Sequence, residues 1–115
     1  MEPSLIPIAR ALAAERSRAL ARARALTREL ADIIERSNDA ARDDEHDPEG
    51  STVAFERAQV SALLEAARTQ LADIELAEGR LAAGVHRRCE GCGRDIPAER
   101  HQARPTARTC VRCAG

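Results

Sequence analysis

The chain has 115 residues, of which 43% are hydrophobic and 32% are charged, yet it contains one Phe and neither Trp nor Tyr. So short a chain with almost no aromatic side chains cannot build a conventional compact core. Its mixture of Ala, Leu, Arg and Glu is typical of long helices that bury only a narrow seam. Its uncharged runs are far shorter than the roughly 20 residues of a membrane span, so no membrane association is expected.

The formal net charge of −1 conceals a strong segregation of charge along the sequence. The basic side chains are all Arg, and residues 10–36 are net basic. Residues 39–49 instead carry six carboxylates against Arg42 alone, and the residues after 85 are rich in Arg again. An acidic segment therefore lies between two basic ones.

The first predicted element is a long helix. We expect it to begin near Ser4 to Ile8, because Ser4 can cap the free N–H groups and Pro7 is tolerated in the first turn. Apolar or small residues then recur with the alternating spacing of three and four that indicates a coiled-coil seam. They are Leu12, Ala19, Ala23, Leu26, Leu30, Ile33, Ser37 and Ala40.

A turn is predicted from Asp43 to Gly50, because Pro48 and Gly50 are helix breakers. A second long helix follows, with Ser51 or Thr52 at its N-cap and Gly84 at its end. Phe55 is interpreted as a plug that packs at the base of the turn. The second seam comprises Val53, Val60, Leu64, Ala67, Leu71, Ile74, Leu81 and Val85.

Two helices of similar length joined by a short turn should fold back on each other. The predicted fold class is all-α: an antiparallel two-helix coiled-coil hairpin with a small C-terminal zinc finger of four cysteines. We assign residues 1–84 to the hairpin, with an acidic tip at about 39–50, and residues 85–115 to the finger. The expected oligomeric state is a monomer.

Four cysteines form two C-x-x-C pairs separated by seventeen residues. This spacing predicts a tetrahedral zinc site with Cys89, Cys92, Cys110 and Cys113 as ligands. Because four protein ligands leave no open coordination position, the zinc should be structural. Gly93 supplies the permissive backbone that such a knuckle needs.

Two disulfides or a redox dithiol are the alternative readings of these cysteines. The first residues do not resemble a signal peptide, which favours the cytoplasm, where disulfides are rare. A redox C-x-x-C would follow a strand, and none is predicted upstream. His86 and His101 are interpreted as surface residues of the finger rather than zinc ligands.

The finger strings Cys89-Glu-Gly-Cys92-Gly-Arg-Asp-Ile-Pro97 and Ala103-Arg-Pro-Thr-Ala-Arg-Thr-Cys110-Val-Arg-Cys113 follow a hairpin with an acidic tip. In this the chain resembles the DksA/TraR family of zinc-finger transcription regulators. The resemblance implies a cytoplasmic protein that binds RNA polymerase, inserts its tip into the secondary channel towards the catalytic magnesium, and alters promoter-complex stability. It implies no sequence-specific binding of DNA.

The resemblance also suggests individual contact residues. The family's tip pattern, D-x-x-D-x-A, is matched by Asp44 and Asp47, whereas Glu49 stands in place of the Ala. The predicted tip contacts are Asp43, Asp44, Glu45 and Asp47. In the finger, Arg87, Arg88, Arg104 and Arg108 are predicted to grip an acidic rim of the polymerase through bidentate pairs. Longer members continue into a C-terminal helix that forms part of a ppGpp site, so ppGpp dependence is not carried over.

Other functions fit only parts of this pattern. A nucleic-acid-binding zinc finger with a helical dimerisation arm would use the basic segments and bind in a salt-dependent manner. Against it stand a net charge near zero, a lack of aromatic side chains for stacking, and no recognition helix after the cysteines. A structural coiled-coil adaptor would leave the acidic tip without a role. An enzyme is not expected, because no nucleophile with its base and no open metal position is found.

Overall fold

The structure is a computed structural model and describes residues 5–43 and 48–114. Helix α1 spans Ile6–Asp43 and helix α2 spans Pro48–Ala82, followed by the short helix α3 (Ala98–Ala103) and a 3₁₀ turn (Val111–Cys113). Over the described residues there is no β-strand, only a β-bridge between Arg88 and Asp95. The predicted fold, an antiparallel helical hairpin with a C-terminal cluster of four cysteines, is confirmed.

The seam predicted from residue spacing is buried. Eight of its members expose at most 7% of their surface: Leu12, Ala19, Ile33, Val60, Leu64, Ala67, Ile74 and Leu81. The other members whose side chains are described are half-buried. Since burying one Leu, Ile or Val side chain contributes about 1.5–3 kcal/mol, this seam is the main source of hairpin stability. No helix in the described part of the chain is long and apolar enough to cross a membrane.

The chain divides into two compact units. One combines the residues up to Arg18 with those from Gln70 onwards, and the other runs from Ala19 to Thr69. In the first unit, Arg16 of α1 forms an ion pair with Glu78 of α2. In the second, Arg36 Nη2 lies 3.3 Å from Glu56 Oε1. Each pair joins the two helices and fits their antiparallel register. The predicted boundary between the hairpin and the finger at residue 84 stays a prediction.

The start of α2 differs from the prediction. The predicted turn from Asp43 to Gly50 is too long, because α1 continues through Asp43 and α2 already begins at Pro48. Proline is favourable at the first helical position, where its missing N–H would have no helical acceptor. The N-cap predicted at Ser51 or Thr52 is therefore wrong, and the N-cap predicted at Ser4 lies outside the described residues.

Gly84 ends α2 as predicted. Its φ of +78° lies in the left-handed region that favours glycine. The N–H of Gly84 donates to Leu81 O at 3.1 Å, and the N–H of Val85 donates to Arg80 O at 3.0 Å. This pair of bonds is the Schellman motif, which satisfies the last carbonyl groups of a helix. It fixes the direction in which the chain leaves α2 and enters the finger.

Phe55 does not plug the base of the turn, so that prediction is wrong. Its side chain is 71% exposed. The buried stripe of α2 passes through half-buried Val53 and buried Val60. At about 100° per residue, position 55 points well away from both. The aromatic ring therefore lies on the outer face of the helix.

Candidate functional site: a four-cysteine metal centre

The first C-x-x-C pair lies on a tight knuckle just beyond α2. The N–H of Cys89 donates to Arg94 O at 2.8 Å, and the N–H of Gly93 donates back to Cys89 O at 3.0 Å. Gly93 has a φ of +73°, a conformation that side-chain-bearing residues rarely adopt. The glycine predicted to shape the knuckle does so.

The second pair is held by a 3₁₀ turn and by a long side chain from α3. The N–H of Cys113 donates to Cys110 O at 3.1 Å, which curls the two cysteines towards each other. Arg100, on α3, donates from Nε to Thr109 O at 2.7 Å. This bond ties the residue before Cys110 to the helix.

The two knuckles bring all four predicted ligands together. The Sγ atoms of Cys89, Cys92, Cys110 and Cys113 lie within 4.8 Å of one another, and none forms a disulfide. The Sγ atoms of Cys92 and Cys110 are 3.8 Å apart. A regular tetrahedron with zinc–sulfur bonds of about 2.3 Å has sulfur–sulfur edges of about 3.8 Å. The geometry therefore fits a structural C4 zinc site.

Backbone hydrogen bonds prepare two of these thiols to bind a metal. The N–H groups of Cys110 and Gly91 each donate to Cys89 Sγ at 3.3 Å. The Cys110 bond is the main cause that lowers the pKa of Cys89 to about 6. The N–H of Cys113 likewise lowers the pKa of Cys110. Since zinc binds thiolate, these bonds favour the metal-binding form.

Cys113 behaves in the opposite way. A hydrogen bond with the side chain of Cys110 raises the pKa of Cys113 to about 12. Because zinc binds thiolate, metal binding must displace the proton that this bond favours, so zinc affinity falls as the pH is lowered.

Gly91, in the first knuckle, lies close to Cys113 of the second. A Cβ atom at this position would lie 2.9 Å from both Cβ and Sγ of Cys113 and 3.7 Å from Cys89 Sγ. Real Cβ atoms essentially never approach other atoms as closely as 2.9 Å. Sequence reasoning singled out Gly93 and overlooked Gly91, although a glycine between two ligands of one knuckle is a signal of close backbone approach.

Arg80 ties the end of α2 to the first knuckle. Its side chain is only 17% exposed. Nη2 donates to Val85 O at 3.0 Å and also to Arg88 O, and Nη1 lies 3.1 Å from Glu90 Oε1. Because Glu90 directly follows Cys89, this network connects the helix to a metal ligand.

His86 and His101 are buried, so their interpretation as surface residues is wrong. They are 8% and 3% exposed, and their ring centroids lie 5.8 Å apart. The finger has few large apolar side chains, and these rings add to a buried set that includes Ile96, which is 3% exposed. His101 Nε2 lies 3.1 Å from Ala107 O. Because a carbonyl can only accept, Nε2 carries the proton in this contact.

Acid should destabilise the protein through His101. Burial lowers the pKa of His101 despite the bond to Ala107, and the nearby Arg80 acts in the same direction. The unfolded state therefore binds the proton first, and stability declines as the pH falls below about 6.5. We expect the thermal midpoint of the zinc-loaded protein to fall less between pH 7 and 5.5 in His101→Gln than in the wild type. Equal falls would show that His101 contributes nothing, because thiol protonation is common to both proteins.

The structure places the predicted partner-binding residues in different environments. Asp43 is the last residue of α1, whereas Asp44, Glu45 and Asp47 lie outside the described residues. The finger side chains Arg87, Arg88, Arg104 and Arg108 are all exposed. Arg108 Nε lies 4.0 Å from Glu90 Oε2, so this guanidinium is already partly engaged within the finger.

Helix α3 was not predicted from the sequence. It occupies the Ala-Glu-Arg-His-Gln-Ala stretch that begins after Pro97 and ends before Pro105. Prolines before and after a run of good helix formers are a recognisable signal. The helix carries both Arg100, which braces the second knuckle, and the buried His101.

Comparison with known proteins agrees with this architecture. Residues 77–115 match the family described as prokaryotic dksA/traR C4-type zinc finger. The structure of transcription factor DksA2 from Pseudomonas aeruginosa aligns with a TM-score of 0.81 and 25% sequence identity, covering 96% of this chain and 80% of that chain. A comparison with curated protein sequences found no match.

The helical hairpin and the four-cysteine finger define a protein with a DksA-like fold and a C4-type zinc finger. The finger is thus similar to the DksA/TraR C4-type zinc-finger family over residues 77–115, and the chain shares the fold of DksA2. Its four clustered cysteines are positioned to hold a structural zinc ion.

Proposed function

We propose that this protein binds RNA polymerase and regulates transcription by inserting the acidic end of its hairpin into the secondary channel. The observation that carries the proposal is the hairpin-and-finger fold shared with transcription factor DksA2 over 96% of this chain. The protein acts by binding and carries out no reaction of its own. Its effect is a change in the stability of the promoter complex.

The distribution of charge supports a division of labour between the acidic segment 39–49 and the finger. Residues 39–49 carry six carboxylates and one Arg, a concentration of like charge that is stabilised when a cation or a basic surface meets it. Exposed Arg side chains lie on the finger instead. The carboxylates act near the polymerase's catalytic magnesium, and the finger arginines pair with carboxylates at the channel entrance.

The zinc centre contributes by holding the finger in one conformation. Arg80 fixes the first knuckle to α2, and Arg100 fixes the second knuckle to α3. The guanidinium groups that face the polymerase are therefore mounted on a backbone that is already ordered. Such preorganisation lowers the entropic cost of binding.

Neutralising the tip should separate binding from regulation. In the double variant Asp44→Asn, Asp47→Asn, we expect affinity for core RNA polymerase to stay within about threefold, or about 0.7 kcal/mol. The effect on promoter-complex lifetime should be lost, because the amides carry no charge to act on the active centre. Fluorescence anisotropy measures the affinity for polymerase, and the decay rate of a promoter complex measures the regulatory effect.

The matched control neutralises two exposed carboxylates elsewhere in the hairpin, Asp32→Asn with Glu65→Gln. This variant removes the same amount of charge and should retain both binding and regulation. If the tip variant loses binding and regulation to the same extent, the proposed division of labour is incorrect.

A further inference from the structure

Phe55, the one Phe, Trp or Tyr residue of the protein, is exposed to solvent on the outer face of α2. Phe55 is 71% exposed, more than Leu63 at 52% and Leu76 at 49% on the same helix. Burial of an aromatic ring would be favourable, yet Phe55 is not buried in the seam between the two helices. Phe55 is the eighth residue of α2, so it lies about 10 Å along the helix axis from the start at Pro48.

The sequence around Phe55 is strongly acidic. Between residues 32 and 57 there are nine carboxylates and three arginines, a net charge of −6. Of the nearby carboxylates on α2, Glu56 already pairs with Arg36 at 3.3 Å. The ring therefore belongs to a segment that attracts cations, and its own face carries negative electrostatic potential.

We propose that Phe55 is a contact residue for the protein partner and that an Arg or Lys side chain of the partner lies over its ring. The inference rests on the proposed function and adds to it a residue outside the acidic tip. Phe55 follows the acidic segment 39–49 closely in sequence and is exposed on α2, so a basic surface drawn to that segment can reach the ring. The ring then gives one cation a fixed position, whereas the carboxylates of the acidic segment attract cations without orienting them.

Cation–π attraction and simple apolar contact make different predictions. A cation over the ring depends on the ring's negative face, which fluorine substitution weakens while the ring keeps nearly the same shape. An apolar contact depends on buried area, which fluorine leaves nearly unchanged or increases. Because Phe55 is exposed on a helix that continues through Ala82, we expect these substitutions to leave the backbone unchanged.

The test is a titration of core RNA polymerase with zinc-loaded protein that carries Phe, monofluoro-, difluoro- or trifluoro-Phe at position 55, or Phe55→Leu. We expect the Kd to rise stepwise with fluorination, with a total loss of about 2- to 30-fold in the trifluoro and Leu proteins. Phe55→Trp should bind as tightly as the wild type or more tightly. The control Leu63→Ala removes another exposed side chain of α2 and should stay within about twofold.

Three results would overturn the proposal: an unchanged Kd for Phe55→Leu, a loss in Phe55→Leu with no trend across the fluorinated series, or an equal loss in Leu63→Ala. Sedimentation of the free protein tests whether a second copy of this chain binds the ring instead. If the wild type is a dimer and Phe55→Leu is a monomer, Phe55 lies in the dimer interface and the proposal is overturned as well. Failure of the wild type to bind polymerase would contradict the proposed function itself. Binding that ignores Phe55 would contradict only this inference.

Discussion

Gly91→Ala is expected to weaken zinc binding by about 5- to 150-fold. The new methyl group would lie 2.9 Å from both Cβ and Sγ of Cys113, so one knuckle must move away from the other. Overpacking of this kind costs about 1–3 kcal/mol, which corresponds to the stated loss in affinity. Competition with a chromophoric chelator measures the zinc affinity, and far-UV circular dichroism should show a hairpin of unchanged helicity.

Gly79→Ala provides the matched control. Gly79 lies within α2, and a Cβ there would meet nothing within 4 Å. The substitution should leave zinc affinity unchanged and stabilise the helix by up to about 1 kcal/mol. If Gly91→Ala binds zinc as tightly as the wild type, the predicted clash between the new methyl group and Cys113 does not occur.

Arg80→Met is expected to destabilise the zinc-loaded protein by about 1.5–3 kcal/mol. Met keeps the aliphatic stem but removes the hydrogen bonds to Val85 O and Arg88 O and the ion pair with Glu90. Hydrogen bonds that involve a charged group contribute about this much, and the Arg80 side chain is only 17% exposed. Denaturant unfolding of the zinc-saturated protein measures the difference.

Arg68→Met is the control for loss of an arginine from the same helix. Arg68 is 60% exposed and lies 4.0 Å from Glu65, and exposed pairs of this kind contribute about 0–1 kcal/mol. A second comparison is Glu90→Gln alone and combined with Arg80→Met, which should show coupling because the two groups are in contact. If Arg68→Met and Arg80→Met destabilise the protein equally, the claim that Arg80 links α2 to the finger is wrong.

The helical hairpin could be predicted from sequence because its residues obey a simple period. Apolar residues recur every three or four positions along both helices. Leu12, Ile33 and Ile74 belong to this pattern, and all three are buried. The thiol cluster was equally predictable, since two knuckles with this spacing suit one tetrahedral ion. Both features follow from rules that involve few residues at a time.

The remaining details depend on three-dimensional context that the pattern does not contain. Pro48 breaks a helix when it lies in the interior, but it is well tolerated at the first helical position that it occupies here. The finger has no period, so nothing in its spacing indicates that His86 and His101 form buried volume. The apolar character of Phe55 predicts burial, but its angular position on α2 decides its exposure.

The most direct test of the central claim is a binding titration of zinc-loaded protein against core RNA polymerase, with duplex DNA as the parallel ligand. We expect saturable binding to polymerase and no comparable binding to DNA. Salt-dependent binding to DNA without affinity for polymerase would contradict the claim and would identify the finger as a nucleic-acid-binding module.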